Sequence, residues 1–417
     1  MPQDFDPRDL ISPEHYGRKG LPHDVWTRLR HESPVQWCES DEFENFWAIT
    51  KHADIIDISG KPEVFLNDPG TLIQSRAQIA FEAANPREFN MKTIIEMDPP
   101  QHRAIRKVAS GFFTPRGIAR LDDIVEGSAR QLIDSLGDAG ECDFIDVVAQ
   151  RHPLRVLATI LGIDERDEED LLLWTQQIFA ADDPDLQRVG ADPFDAQRQV
   201  TADLYTLFDR IIQDRRANPS DDLASLIANA KLENGEALGP IETFGYYMIV
   251  FLAGHDTTRN ALSAGLEAFA RYPDQLELVR RDPSLVKSAV EEIIRWATPV
   301  NYMKRTAARD VQVRDKTIRE GDSAVLFYAS ANRDEDVFDD PFRFDVTRKP
   351  NRHLGFGTGE HFCLGAHLAR ASMRALVHEL ATRLEEFELA TEPTQIHSSF
   401  VVGRKTLPVR YKIRDVA

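Results

Sequence analysis

The sequence predicts a mainly α (α+β) chain, a helix-rich single domain over residues 1–417 with small peripheral β-sheets. Three observations predict it. Helical periodicity dominates residues 101–294, short alternating runs are confined to the two ends, and no repeat, low-complexity tract or Gly/Ser/Pro-rich linker divides the chain.

The elements follow in order. Residues 35–38 and 46–50 read as strands framing the turn-prone segment ESDEFEN. Residues 67–90 then run without periodicity, a loop long enough to be a binding element or lid. Asp221 and Asp222 place acid at the positive end of the helix DDLASLIANA. Residues 171–180 and 196–216 form a helical pair joined by a mobile Pro- and Asp-rich connector, 181–194. Residues 241–271 read as one helix too apolar to lie on a surface. Asp282-Pro283 opens a further helix that Pro299 must close. Beyond it Val311, Val313, Ile318 and residues 323–329 alternate in strand fashion, and residues 399–412 read as a terminal hairpin.

Composition narrows the function. With 42% hydrophobic residues in 417, the chain can bury a large core. Its 69 acidic against 50 basic residues give a net charge of -19, which repels phosphate backbones and excludes nucleic acid as a partner. One stretch runs the other way. Residues 101–120 contain no acid but include Arg103, Arg106, Lys107, Arg116 and Arg120, either a solvated helix face or a contact for one anionic partner. The three cysteines, Cys38, Cys142 and Cys363, lie far apart without a CxxC, so neither a disulfide framework nor a zinc-thiolate finger is indicated. The N-terminal segment is polar and broken by prolines, and the longest apolar stretch, 244–254, is too short to span a bilayer. No membrane anchor and a cytoplasmic location are expected.

The most informative segment is FGTGEHFCLG, residues 356–365. A helical pattern follows Cys363, which places the cysteine at a helix N-terminus, where the dipole and free N–H groups favour a thiolate. Gly357, Gly359 and Gly365 remove side chains where backbone must bend or approach a flat ligand. A buried structural cysteine beside a glycine turn is one reading. Zinc held by His353, His361, Cys363 and His367 is another, with unsuitable spacing. The middle of the 241–271 helix carries AGHDTT, residues 253–258. Gly, acid and hydroxyls are poor formers of a buried helix, a local violation expected where function overrides packing.

The phrase F-G-x-G-x-H-x-C-x-G resembles the cysteine-ligand loop of the cytochromes P-450, and AGHDTT resembles the oxygen-activation motif of that family. Other family motifs occur in the expected order along nearly the whole chain. The resemblance implies the cytochrome P-450 fold and haem b (Fe protoporphyrin IX), with Cys363 as iron ligand, Phe356 packed beside its sulfur, and Gly365 and Ala253 binding the cofactor. It implies that His102, Arg106, Arg305 and His361 hold the propionates. Thr257 would hold water where oxygen is activated and Asp256 would relay protons. Glu292, Arg295 and Arg348 would form a folding and haem-retention triad; His255 is read as structural.

Substrate contacts implied by the family topology are Ile249, Leu252, Ala253, Val300, Asn301 and Phe400, with the 67–90 loop and the 181–194 connector. The expected activity is hydroxylation of a hydrophobic small molecule (terpenoid, steroid or aromatic), with O2 and two electrons from an acidic ferredoxin and its NAD(P)H-dependent reductase. That ferredoxin would dock on the cationic stretch. The alternatives are a peroxide-driven enzyme and a haem-binding sensor without turnover.

Overall fold

A computed structural model describes residues 5–85, 92–179, 182–186 and 193–414 of the chain. Its centre is the helix Pro240–Arg271, which starts at a proline where no N–H is needed and is buried along most of its length. Helices Arg151–Leu161, Val286–Ala297 and Ala366–Arg383 pack around it, joined by apolar side chains such as Leu157, Phe251, Leu262, Ile293, Leu376 and Leu380. The predicted caps form: the Asp222 carboxylate accepts the Ser225 N–H at 2.6 Å, and Asp282 accepts that of Ser284 at 3.0 Å. The helical pair is Glu168–Phe179 and Pro193–Ala217.

The sheets lie at the periphery. A five-stranded sheet runs Val35–Cys38, Phe46–Ile49, Ser323–Phe327, Tyr302–Ala307, Phe65–Leu66, with one parallel pairing, between the second and third. Val311–Val313 and Lys316–Ile318 form their own hairpin. The expected terminal hairpin does not form. Arg404–Thr406 pairs with Thr394–Gln395, while Pro408–Ile413 becomes the middle strand between Ala139–Asp143 and Leu384–Leu389. Alternation along one segment cannot reveal partners so distant in sequence.

The expected loop over 67–90 contains a helix, Arg76–Ala84, capped by the Ser75 hydroxyl. None of its side chains is fully buried, so it has no apolar stripe to read. Residues 86–90 lie outside the described ones, as do 181 and 187–192 of the connector. Its described part is held rather than loose. Buried Asp183 accepts from Lys405 Nζ at 2.7 Å and from the His397 amide at 3.0 Å.

Candidate active site

A cavity of about 1600 Å³, counting its mouth, lies between the central helix and the loop before Ala366–Arg383. Its apolar wall is built from Ile94, Ile95, Ile249, Val250, Val300 and Met303; Ala253, Thr257 and Thr258 line it from the central helix. Phe356, His361, Cys363 and Gly365 line it from the other side.

Cys363 sits on a tight loop. Its N–H donates to the Phe356 carbonyl at 2.9 Å, and the loop turns through Gly357 (φ 66°) and Gly359 (φ 72°). At Gly359 a Cβ would also lie 2.4 Å from the Ser59 carbonyl oxygen, so only glycine fits. Gly365 is different. A Cβ there would meet nothing within 4 Å, which leaves clear backbone facing the cavity. The helix begins at Ala366 with Gly365 as its cap, so Cys363 precedes the first turn rather than starting it. Burial pushes its thiol up, opposed by the Gly365 amide and the charges of Arg106 and Arg370. Burial is the largest of these influences and opposes the thiolate that the helix end favours; a cation bound at the sulfur would hold the anion.

Arginines and histidines collect at one edge of this cavity. Arg106, Arg305 and His361 line it, and buried His102 lies behind His361, ring centroids 4.0 Å apart. Nε2 of His102 and Nε2 of His361 lack a hydrogen-bond partner among the described residues, while His102 Nδ1 lies 3.6 Å from a Glu360 carboxylate oxygen. Burial lowers both imidazoles, His361 to about 3, helped by the charges of His102, Arg305 and Arg106. Buried donors without acceptors are costly. Two carboxylates on a flat macrocycle would satisfy them, so these residues fit a haem.

The acid–alcohol pair is split between two sides of the helix. Half-buried Thr257 lines the cavity and its hydroxyl donates to the Ala253 carbonyl at 2.6 Å. Asp256 is 2% exposed and points away from the cavity lining. It pairs with Arg259 Nε at 3.0 Å and accepts from Asn260 Nδ2 at 2.9 Å. Arg259 and Asn260 carried no readable signal, being ordinary helix residues three and four places on. His255 turns to the opposite packing, bonding the Gln150 carbonyl at 3.0 Å at the end of a π-helical turn, Ile145–Ala149.

Glu292, Arg295 and Arg348 meet, as the resemblance implies. Arg295 donates both Nε and Nη2 to the Glu292 carboxylate at 2.8 and 2.7 Å, and Arg348 Nε lies 3.3 Å from it. Among the expected substrate contacts, Ile249, Ala253 and Val300 line the cavity, whereas Leu252, Asn301 and Phe400 do not. Leu252 packs into the helical core. The Asn301 amide is fully buried on Tyr16 Oη and the Ser399 carbonyl, and Phe400 packs edge-on to Tyr302. The cationic stretch is partly neutralised, since Arg103 pairs with Glu360, Lys107 with Glu233 and Arg120 with Asp221. Among the described residues no helix is long and apolar enough to cross a membrane.

A helical core, a cysteine loop facing the polar stretch of the central helix and an edge lined by arginines and histidines define a haem-thiolate protein. Comparison with known proteins agrees. The cytochrome P-450 family model matches residues 40–283 and 280–413, and the chain belongs to the cytochrome P-450 family. It is 36% identical to cytochrome P-450-terp of a Pseudomonas species over 97% of this chain and 96% of that protein. It is 34% identical to linalool 8-monooxygenase of Pseudomonas putida, over 96% and 98%. The crystal structure of CYP108D1 from Novosphingobium aromaticivorans superposes with a TM-score of 0.89 at 36% identity, covering 99% of this chain and all of that one. The chain is thus a monooxygenase whose cofactor is protoporphyrin IX haem.

Proposed function

We propose that the enzyme hydroxylates a hydrophobic small molecule of the terpenoid, steroid or aromatic class in the cytoplasm, drawing two electrons from an acidic ferredoxin and its NAD(P)H-dependent reductase. One observation carries this reading. The cysteine loop, the stretch of central helix carrying Ala253, Thr257 and Thr258, and a wall of Ile94, Ile95, Ile249, Val250, Val300 and Met303 enclose the same cavity. Likeness to linalool 8-monooxygenase supports the substrate class.

Cys363 Sγ would hold the iron with Phe356 beside the sulfur, Gly365 and Ala253 would contact the cofactor, and Arg106, Arg305, His361 and His102 would hold its propionates. Bound there, haem supplies the reduction of O2 and the insertion of one oxygen into a C–H bond. The chain's own residues do the rest. The apolar wall strips water from the substrate and orients it by shape. Thr257, its proton engaged by Ala253, keeps acceptor lone pairs for a water in the cavity. Asp256, held by Arg259 and Asn260, would relay protons toward the cavity. Arg116 and the paired cations Arg103, Lys107 and Arg120 steer the acidic donor.

The test is a substrate-induced spectral titration of haem-loaded protein against terpenoids, steroids and aromatics, followed by turnover with a ferredoxin and its reductase. A compound that shifts the Soret band and yields hydroxylated product with that donor supports the proposal. Turnover with peroxide but not with O2 and ferredoxin would overturn it.

A further inference from the structure

Arg370 lies in the second turn of the helix Ala366–Arg383, which follows the Cys363 loop. Its Nε and Nη2 donate to the two carboxylate oxygens of Glu291 at 2.7 and 2.8 Å. His353 Nε2 donates to the same carboxylate at 3.0 Å, while His353 Nδ1 accepts the Gly355 N–H at 3.2 Å. Glu291 is therefore fixed from two sides, and these partners hold it at about 2 despite its burial. So clamped, the Arg370 guanidinium carbon lies 4.5 Å from the centre of the Phe356 ring. Phe356 is the residue whose carbonyl holds the Cys363 amide, and Arg370 is one of two arginines whose charge favours an anion at that sulfur. A fixed cation, stacked on an aromatic face and only 22% exposed, thus borders the thiolate loop.

We propose that Arg370, clamped by Glu291 over Phe356, is a positioning residue that sets the reduction potential of the iron held by Cys363. The inference rests on Cys363 being the iron ligand. Reduction takes one electron from the donor; no bond forms or breaks, and the iron–thiolate unit becomes more negative by one charge. A nearby cation favours that state and a nearby anion disfavours it. Arg370 raises the potential and Glu291 moderates the effect. Neither residue touches substrate.

The experiment is an equilibrium redox titration of full-length, haem-loaded protein with dithionite against a one-electron dye at neutral pH. Arg370→Gln should shift the equilibrium toward the oxidised form by about threefold to tenfold. Arg370→Lys, which keeps the charge, should stay close to the unmodified protein. Glu291→Gln should shift it the opposite way. A merely structural clamp would be loosened by either neutral variant, so shifts of the same sign, or no shift, overturn the proposal. If Arg370→Gln binds no haem, the sign of the Glu291→Gln shift decides. The thiolate-type Soret band of the reduced CO complex of the unmodified protein reports on Cys363 separately, so failure of the ligand reading is distinguishable from failure of the tuning.

Discussion

At Glu292 one carboxylate receives both arms of Arg295, the Arg348 side chain, the Asp345 amide and the Asn351 amide group. Arg295 spends its remaining donors on the carbonyls of Asn332, Pro341 and Arg343. Removing the charge at Glu292 strands a fully buried guanidinium, a loss on the order of 3–5 kcal/mol. Glu292→Gln is therefore expected to bind little haem, read as the ratio of Soret to protein absorbance; a normally loaded variant would contradict this. Thr257→Ala should go on consuming NADH while product per NADH falls about tenfold or more and peroxide rises. Unchanged product yield would remove Thr257 from the chemistry. Cys363, Thr257 and Glu292 were legible because each sits in a short local motif. Asn301 and Phe400 were not: near the cavity in sequence, they are turned away by Tyr16, Ser399 and Tyr302, which no local pattern announces.

Among elements, the central helix was the most readable, because a long run of apolar residues around one polar break has few alternative explanations. The pairing of Pro408–Ile413 with two distant strands was the least readable. Contact between the central helix and the C-terminal segment also affects the site. A Cβ on Gly403 would fall 2.1 Å from Asn260 Oδ1, and Asn260 is the residue that donates to Asp256. Gly403→Ala should displace the Asn260 amide and disturb Asp256 without touching the cavity wall. Its expected signature is normal haem content with product per NADH lowered about threefold, as for a shifted neighbour. A yield equal to that of the unmodified enzyme would show that Asn260 plays no part in holding the acid.

For the whole molecule, we propose that residues 1–417 form one domain: the cavity draws on residues from Asn67 to Met373, and one sheet joins residues 139–143 to 384–389 and 408–413. A large core has a further price in acid. His152 accepts from Ser128 and donates to the Ser372 carbonyl, so it carries one ring proton, and burial lowers it to about 4. His255 is likewise lowered to about 4 and His23 to about 3, both chiefly by burial. Unfolded, each imidazole returns to its ordinary 6.5. Between those values only the unfolded chain takes up the protons, so stability rises with pH through the window and is lost as pH falls below 6.5. Each histidine contributes about 1.4 kcal/mol per pH unit at most. The urea midpoint of haem-loaded protein should drop steadily from neutral pH toward the lower values; a flat profile would show these rings protonated in the fold. The fold class was legible from composition and periodicity, which report how much is buried, whereas the partners of each buried ring depend on contacts between distant segments.

The wall of isoleucines, valines and Met303 has a calorimetric consequence. A hydrophobic substrate that fills the cavity removes apolar surface from water, and that lowers the heat capacity of the complex. Titration calorimetry at several temperatures should find the binding enthalpy growing more exothermic with warming, whichever compound proves to fit.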